Sequence, residues 1–246
     1  AGLLGTNGNP ETLLRNEALE ADFQAVLSER IPYQERLKKL GTLSDQFGEY
    51  LSTQLHIHSL SFEERQLIYE QIGRIPFDVD FEAFLRMVIA EFSFCHHYGQ
   101  KRSGEVCGDG CHFTGYLCGA VKNCISNRFP KSARNLSRTL AWLLGDETVG
   151  LQHLEAVLPF TLAHRIVWKD QNIAESEEEY RNDPVEIHLA KKAVQQIMRR
   201  YREQSHRVKQ ALSAAYSISE GEATDPVEGD HPLFHIILKD LGREAP

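Results

Sequence analysis

Residues 131–168 read KSARNLSRTLAWLLGDETVGLQHLEAVLPFTLAHRIVW, and their pattern predicts two helices joined by a turn. The first helix is predicted to begin with Ser132 as its N-cap and to end at Gly145, because glycine readily takes the left-handed conformation that closes a helix. Thr148 is the predicted N-cap of the second helix. Leucine and valine recur at helical spacing and predict the two buried faces: Leu136, Leu140, Leu143 and Leu144 in the first helix, and Leu151, Leu154, Val157 and Leu158 in the second.

Towards the N-terminus the same periodicity predicts helices over about 11–31 and 33–54, after a leader at 1–10. Ser61 and Glu64 have the spacing of a capping box, which predicts the start of another helix. The clearest amphipathic helix follows and is predicted to end in Cys95. Its apolar positions are Phe81, Phe84, Leu85, Val88, Ile89 and Phe92.

Towards the C-terminus a helix is predicted over about 113–126. The acidic stretch at 169–183 is interpreted as a linker, and Asp183-Pro184 as the start of a long helix that reaches about 215. A short amphipathic helix that ends at Gly242 is predicted to close the chain. Because no stretch shows strand-like alternation or a repeat of fixed period, the predicted class is all-α, with a long C-terminal helical arm.

The cysteine-rich stretch at 94–118 contains four of the five cysteines, Cys95, Cys107, Cys111 and Cys118. Four thiolates that converge on one point would hold Zn²⁺ in a tetrahedral structural site, and the same four would hold an iron–sulfur cluster. The residues leave alternatives open, since Cys124 is a candidate for the fourth ligand and a histidine for one thiolate: His96, His97 or His112. We predict a loop stapled by a metal, with zinc preferred over an iron–sulfur cluster.

Composition limits the classes of function. A formal net charge of −8 argues against a whole-surface nucleic-acid binder and against attraction to anionic membranes. The sequence has no apolar run of membrane-spanning length and no signal-peptide pattern at its start, so we expect a cytoplasmic location. Clustered cysteines with an odd total favour a reducing compartment. Phosphate-loop, G-x-S-x-G, H-E-x-x-H and dinucleotide motifs do not occur, so no complete active site is predicted.

Residues 131–168 resemble the C-terminal helical lid of AAA+ ATPases of the MoxR type. The resemblance lies in Ser132-Ala133-Arg134, in the leucine-rich helix that follows, and in the segment from Val149 to Leu158 with Pro159, Leu162, His164, Arg165 and Ile166 after it. The segment from Ser61 to Cys95 and the C-x3-C-H block are similar to a cysteine-bearing branch of the same family. The resemblance thus spans 61–168 as a lid-like domain, between N-terminal helices at 11–60 and a C-terminal part at 184–246.

The resemblance implies that Arg134 is the sensor 2 residue, which reaches towards the γ-phosphate of ATP. It also implies that ATP with magnesium is bound only in a parent protein, since the nucleotide-binding core and its Walker motifs do not occur in this sequence. The expected partners are the AAA+ core of the same protein, neighbouring ring subunits and an unidentified client protein. We expect that this chain does not hydrolyse ATP alone.

An alternative function is nucleic-acid binding by a metal-stapled helical module. Its basis is a basic run on the long helix, which contains Arg199, Arg200, Arg202, Arg207 and Lys209 beside Tyr201. The net charge and the acidic stretches on either side count against it, because a basic helix face is usually solvated or paired with neighbouring acids.

Overall fold

A computed structural model describes residues 10–56, 58–96, 116–176, 184–222 and 224–241, with side chains described from 18 onwards except those of 54 and 55. The described residues form ten helices: α1 Pro10–Ser28, α2 Tyr33–Leu55, α3 Phe62–Arg74, α4 Val79–Ser93, α5 Leu117–Ala120, α6 Phe129–Leu144, α7 Leu151–Ala163, α8 Asp170–Ser176, α9 Val185–Ser219 and α10 Pro232–Asp240. The predicted all-α class is confirmed for these ranges. Isolated bridges pair Phe77 with Val149 and Val121 with Trp168.

The chain divides into two compact units, Ala1–Gly73 and Arg74–Pro246, which we call the N-terminal unit and the C-terminal unit. The N-terminal unit contains α1, α2 and all of α3 except its last residue, Arg74. The C-terminal unit contains the remaining helices. The lid-like domain predicted from the sequence begins at Ser61, whereas the C-terminal unit begins at Arg74.

In the N-terminal unit, α1 packs against α2 and local polar contacts fix the start of α3. Glu64 N–H donates to Ser61 Oγ at 3.1 Å, and Ser61 N–H donates to Glu64 Oε2 at 2.8 Å, which confirms the predicted capping box. Arg65 reaches back from α3 to Ser44 Oγ at 2.8 Å. Among the side chains described in this unit, no apolar one is buried.

The C-terminal unit has a hydrophobic core made mainly by α4, α6, α7, α9 and α10. The predicted periodicity of α4 is confirmed, since all its predicted apolar positions are fully buried except the half-buried Ile89, whereas Val79 in the first turn is exposed. The helix ends at Ser93, two residues before the predicted Cys95. The fully buried large side chains of the core include Phe84, Phe92, Phe129, Leu154, Leu158, Leu162, Ile197, Tyr201 and Phe234.

The predicted buried face of α6 is wrong. Leu143 is 67% exposed and Leu144 64%, and Leu140 is half-buried. The buried residues of α6 are instead mostly small: Phe129, Ala133, Ser137 and Ala141. Since α6 packs closely against α7, small side chains at the contact let the two backbones approach, and the leucines are left on the adjoining face.

The predicted helix starts at Ser132 and Thr148 are also wrong. α6 begins at Phe129, so Ser132 lies in its first turn and donates to Arg128 O at 3.2 Å. Gly150 is the N-cap of α7. Gly145 has a φ of 77° and closes α6 as predicted.

The predicted helix over 113–126 is confirmed only in part. Its residues 113–115 lie outside the described ranges, and α5 ends at Ala120. The following segment is extended because it pairs with the chain after α7. Lys122 N–H donates to Val167 O at 2.7 Å, and the Asn123 amide donates to Arg165 O at 2.7 Å.

The C-terminal elements largely follow the sequence prediction. α9 runs from Val185 to Ser219 with Pro184 as its N-cap, and Asp183 lies outside the described residues. Non-helical backbone angles at Gln204 interrupt α9 in its middle. The stretch interpreted as an acidic linker contains α8 in its first half, and α10 follows an irregular segment as predicted. No described helix combines the length and apolarity needed to cross a membrane.

Candidate functional site

Arg134 lies in the second turn of α6, where its side chain meets α4. Its Nε donates to Glu82 Oε1 at 3.2 Å, and its Nη2 donates to Glu82 Oε2 at 2.5 Å. This fork-to-fork geometry is the strongest way in which a guanidinium pairs with a carboxylate. The Arg134 side chain remains 34% exposed. The two bonds use two of its five N–H groups, so the arginine is held in place while part of its fork remains accessible.

Phe77 forms an aromatic surface beside this pair. The Arg134 guanidinium carbon lies 5.8 Å from the centre of the Phe77 ring, and that of Arg138 lies 4.3 Å from it. Arg138 Nε also donates to Ile75 O at 3.0 Å. The ring is positioned through its backbone, since Asp78 N–H donates to Val149 O at 3.1 Å and so ties this segment to the α6–α7 turn.

The α6–α7 turn is fixed by a buried histidine. Gly150 N–H donates to His153 Nδ1 at 2.9 Å, so the ring carries its proton on Nε2, which donates to Asp146 Oδ2 at 2.8 Å. His153 is 1% exposed. At the other end of α7, Arg165 Nη2 donates to Ser132 Oγ at 3.0 Å and joins the end of α7 to the start of α6.

The cysteine-rich stretch is described only at its two ends. Cys95 lies two residues after α4, Cys118 lies in α5, and these two helices pack against each other. His96 stacks on Tyr116 with ring centres 3.4 Å apart, so the residues on either side of 97–115 are joined. Burial lowers the pKa of His96 to about 4.

Two of the four predicted metal ligands, Cys107 and Cys111, lie outside the described residues, as do His97 and His112. Cys124 lies near the end of α4, because its thiol donates to Ser93 O at 3.8 Å. Among the residues that the structure describes, no three His, Cys, Asp or Glu side chains are placed to hold one metal ion. The metal site therefore stays a prediction.

A buried ionic cluster was not predicted from the sequence. Glu91 is 2% exposed, accepts a hydrogen bond from Arg200 and accepts one from His231 Nε2 at 3.3 Å. Because His231 Nδ1 accepts from Leu233 N–H at 3.1 Å, the same ring also caps α10. Burial alone would raise the pKa of Glu91, but the hydrogen bond and charge of His231, together with Arg200, lower it.

A second ionic contact spans the break in α9. Asp80 accepts a hydrogen bond from Tyr201, before the break, and from Lys209 at 3.1 Å, after it. The Tyr201 hydrogen bond is the main cause of a lowered pKa at Asp80, and Lys209 adds to it. Burial and the same hydrogen bond raise the pKa of the Tyr201 hydroxyl. Both clusters hold α9 against α4.

The basic run on α9 does not form a continuous cationic surface. Arg200 turns inward to Glu91 and lies over the Tyr116 ring, with its guanidinium carbon 4.4 Å from the ring centre. Arg207 donates to Glu228 O at 2.6 Å, and Lys209 pairs with Asp80. Three of the five cations thus contact other parts of the C-terminal unit. Arg199 and Arg202 are exposed beside Glu155 and Glu203.

An apolar groove of about 970 Å³ lies between α4, the second half of α9 and α10. Its lining is mostly aliphatic and aromatic, with Asp78, Glu82, Arg86, Lys209 and Asp240 among its charged members. Glu82 already binds Arg134 and Arg86, and Lys209 binds Asp80. The described residues that line the groove form no arrangement of nucleophile, base and oxyanion donors.

One comparison with known proteins identifies part of the chain. Residues 126–186 match the family model of the AAA lid domain. That match covers about a quarter of the sequence, namely α6, α7, α8 and the first residues of α9. No curated protein and no solved structure gives a significant match. The matched segment contains Arg134, Ser132 and Arg165, so it supports a lid region of an AAA+ protein in this part of the C-terminal unit.

Proposed function

We propose that this chain is the lid and C-terminal helical region of a MoxR-type AAA+ ATPase. The AAA lid match over 126–186 carries the proposal, and it includes the segment 131–168 with which the sequence resemblance begins. A lid of this kind is associated with an AAA+ core in the same protein or oligomer. In this role the C-terminal unit closes over ATP bound in the core and couples its hydrolysis to remodelling of a client protein in the cytoplasm.

The geometry of α6 supports contact with a core. Leu136 is 47% exposed, and Leu143 is 67% exposed on the same side of the helix. These leucines are available to pack on another domain, since the contact of α6 with α7 uses its small residues. Contiguous exposed apolar surface on one helix favours an interaction surface over a solvated face.

Arg134 supplies the proposed nucleotide-sensing chemistry. A guanidinium presents donors in a fixed fork that suits phosphate oxygens, and the Glu82 carboxylate holds this fork in one orientation. In the proposed role the remaining N–H groups of Arg134 bind the γ-phosphate of ATP, with magnesium held by the core. Glu82 then acts as a positioning residue.

The experiment uses the longer ATPase that this proposal requires, with Arg134→Ala compared with Lys131→Ala. Lys131 is an exposed cation on the same helix and is the matched control. We expect Arg134→Ala to lower ATP hydrolysis about a hundredfold, the usual effect of removing one preorganised donor to a transition-state charge, while Lys131→Ala changes it little. Equal rates in both variants would contradict the sensor role. The 246-residue chain alone should show no hydrolysis.

The same proposal includes a structural zinc site at Cys95, Cys107, Cys111 and Cys118. Its support is the placement of Cys95 and Cys118 next to two helices that pack together, on either side of 97–115. Zinc bound there would only cross-link the chain, because four thiolates leave no open coordination position. Elemental analysis of reduced protein should give about one zinc per chain. Iron with visible colour would favour the iron–sulfur alternative, and metal-free protein would contradict both.

Nucleic-acid binding has less support. Three of the five cations of the basic run are turned to partners within the C-terminal unit, and the chain has a net charge of −8. Non-specific binding to phosphates requires several accessible cations on one surface.

A further inference from the structure

Arg138 is a half-buried cation that forms no ion pair with any residue that the structure describes. It lies one turn after Arg134 on α6, so both side chains project from the same face of the helix. Its Nε donates to Ile75 O at 3.0 Å, and its guanidinium carbon lies 4.3 Å from the centre of the Phe77 ring. Neither contact neutralises its charge, and a partly desolvated charge is stabilised when an opposite charge is bound beside it.

Arginines outnumber carboxylates around this part of α6. Glu82 is shared by two of them, since its Oε2 accepts from Arg134 and also from Arg86 Nη1 at 3.2 Å. Arg138 lies beside the same Phe77 ring as Arg134 and has no carboxylate of its own. The local charge is therefore positive, although the chain as a whole has a net charge of −8.

The other two acidic residues near the start of α4 are already engaged. Asp78 Oδ1 accepts from Phe81 N–H at 2.6 Å and caps the helix. Asp80 accepts from Tyr201 and from Lys209, the latter at 3.1 Å. Neither carboxylate forms an ion pair with an arginine of α6, so the excess of positive charge there is not compensated from α4.

We propose that Arg138 is a second phosphate-binding residue, and that Arg134 and Arg138 together bind the phosphate chain of a nucleoside triphosphate. The assignment of Arg138 rests on the proposed lid function, in which Arg134 alone contacts the nucleotide. Two guanidinium forks on one helix face offer donors to more than one phosphoryl group, so a phosphate chain suits them better than a single phosphate. Because both guanidinium carbons lie near the Phe77 ring, the two forks are held close together before a ligand binds.

The burial of this pair favours a compact ligand over a nucleic acid. Non-specific binding to a nucleic-acid backbone requires several accessible cations spread over one surface. Arg138 is half-buried, and Arg134 is 34% exposed and already bound to Glu82. A short phosphate chain can reach both arginines at one point, whereas a long backbone would need further exposed cations in line with them.

The test measures binding of tripolyphosphate to the 246-residue chain by isothermal titration calorimetry. Tripolyphosphate is the probe because it contains the phosphate chain without the sugar and base. Binding should be detected, and it should weaken as salt is raised, because salt screens the attraction between charges. Inorganic phosphate should bind about tenfold more weakly or less, since a single phosphoryl group offers fewer acceptors to the two forks.

Substitution of Arg138 separates its charge from its structural contact. Arg138→Gln keeps a hydrogen-bond donor for Ile75 O but should weaken tripolyphosphate binding about tenfold, because a hydrogen bond to a charged group is lost. Arg138→Lys keeps the charge and should restore part of the affinity. The matched control is Arg199→Gln, the same chemical change at an exposed arginine of α9 that lines a different cavity, and it should bind as the wild type does.

Two results would overturn the proposal: no binding of tripolyphosphate by the wild-type chain, or equal binding by Arg138→Gln and Arg199→Gln. Tighter binding of a random single-stranded oligonucleotide than of tripolyphosphate would assign the two arginines to nucleic acid instead.

Failure of the lid function would have a different result. If Arg138→Gln weakens tripolyphosphate binding but Arg134→Ala leaves hydrolysis by the longer ATPase unchanged, the phosphate site stands and the sensor role is wrong. If Arg134→Ala lowers hydrolysis but Arg138→Gln leaves tripolyphosphate binding unchanged, the sensor role stands and Arg138 is not part of the site.

Discussion

The N-terminal and C-terminal units are both helical, yet different interactions stabilise them. The C-terminal unit buries apolar side chains from most of its helices and includes a buried carboxylate, Glu91, in its core. The N-terminal unit buries no apolar side chain among those described, and its polar contacts include helix caps and ion pairs such as Lys39–Glu29 at 2.6 Å. Burying one leucine contributes about 1.5–3 kcal/mol, whereas an exposed ion pair contributes about 0–1 kcal/mol.

The comparison shows that strong helix signals and a stable tertiary structure are separate properties. The capping box at Ser61 and Glu64 forms as the sequence predicts, but α3 has no buried residue. Helices of this length are marginal in water unless an apolar face is covered. The N-terminal unit should therefore be the less stable of the two and should gain most from a partner.

Both tryptophans, Trp142 and Trp168, lie in the C-terminal unit. Tryptophan fluorescence during urea unfolding therefore reports on that unit alone, whereas far-ultraviolet circular dichroism reports on the helices of both. These two signals should give separate transitions. Substitutions in one unit should therefore change the difference between the urea midpoints of the two signals.

Glu91→Ala should have the largest effect. It leaves Arg200 and His231 without their buried carboxylate, and breaking a buried ion pair costs about 3–5 kcal/mol of unfolding free energy. The tryptophan transition should move to a lower urea concentration. The part of the dichroism change that comes from the N-terminal unit should stay at the same urea concentration. Glu91→Gln is the control, since it keeps the shape and an acceptor and should lose less. A shift below 1 kcal/mol would contradict the role of this cluster.

Lowering the pH should remove the contribution of Glu91 to the unfolding free energy. The pKa of Glu91 is lowered in the folded protein from its ordinary 4.5, so below pH 4.5 the unfolded chain takes up the proton first and stability falls as pH falls. The charged or titratable groups that act on Glu91 are Arg200 and His231, and His96 lies close enough to feel its charge. The difference in unfolding free energy between wild type and Glu91→Gln should narrow below pH 4.5 in urea titrations. A difference that is the same at pH 7 and pH 3 would argue against an ionised Glu91.

Replacing a leucine with alanine should destabilise the C-terminal unit more than the N-terminal unit. Leu158 is fully buried in α7, and Leu40 is half-buried in α2. Leu158→Ala should cost about 2–5 kcal/mol, because it removes buried methyl groups and leaves a cavity. Leu40→Ala should cost about 1 kcal/mol, in line with partial burial. Equal losses would mean that the N-terminal unit has a core of its own.

A buried helix face could be predicted from the sequence where its apolar pattern allows one interpretation, and not where it allows two. α4 has a single apolar stripe, so its buried face is predicted correctly. α6 has two stripes at helical spacing, one of leucines and one of small residues that include Ala133, Ser137 and Ala141. The close contact with α7 selects the small one. Periodicity cannot distinguish them, because the choice depends on the partner helix.

Non-local contacts account for the other differences. The predicted helix after the cysteine-rich stretch ends early because residues 121–123 pair with 165–169, more than forty positions away. By contrast, Glu91 had a visible signal, since it stands in the apolar run of α4 at a core position. A charged residue on a buried face requires a partner. Its partners, Arg200 and His231, lie too far along the chain for the sequence to identify.

Substitutions on the two faces of α6 should change the stability of the C-terminal unit by different amounts. Ala141→Leu should destabilise the C-terminal unit by about 1–3 kcal/mol, because the fully buried alanine leaves no room for a larger side chain at the contact. Leu143→Ala should change stability by less than about 0.5 kcal/mol, because Leu143 is exposed. Tryptophan-monitored unfolding measures both. A larger loss of stability from Leu143→Ala would indicate that the leucine face of α6 is part of the core.

The smallest effects should come from two N-caps of similar chemistry, one in each unit. Asp78 Oδ1 accepts from Phe81 N–H at 2.6 Å at the start of α4, and Ser61 Oγ accepts from Glu64 N–H at 3.1 Å at the start of α3. Replacing either cap with alanine removes about 0.5–2 kcal/mol of stability.

In the C-terminal unit the core holds α4 in place, so Asp78→Ala should lower the urea midpoint of the tryptophan transition without changing the dichroism of the native protein. In the N-terminal unit none of the described side chains is buried and able to compensate, so Ser61→Ala should reduce native helix content while the tryptophan transition stays where it was. If Ser61→Ala moves the tryptophan transition as well, the two units unfold together, and the stability of the N-terminal unit would then come from the C-terminal unit rather than from its own caps.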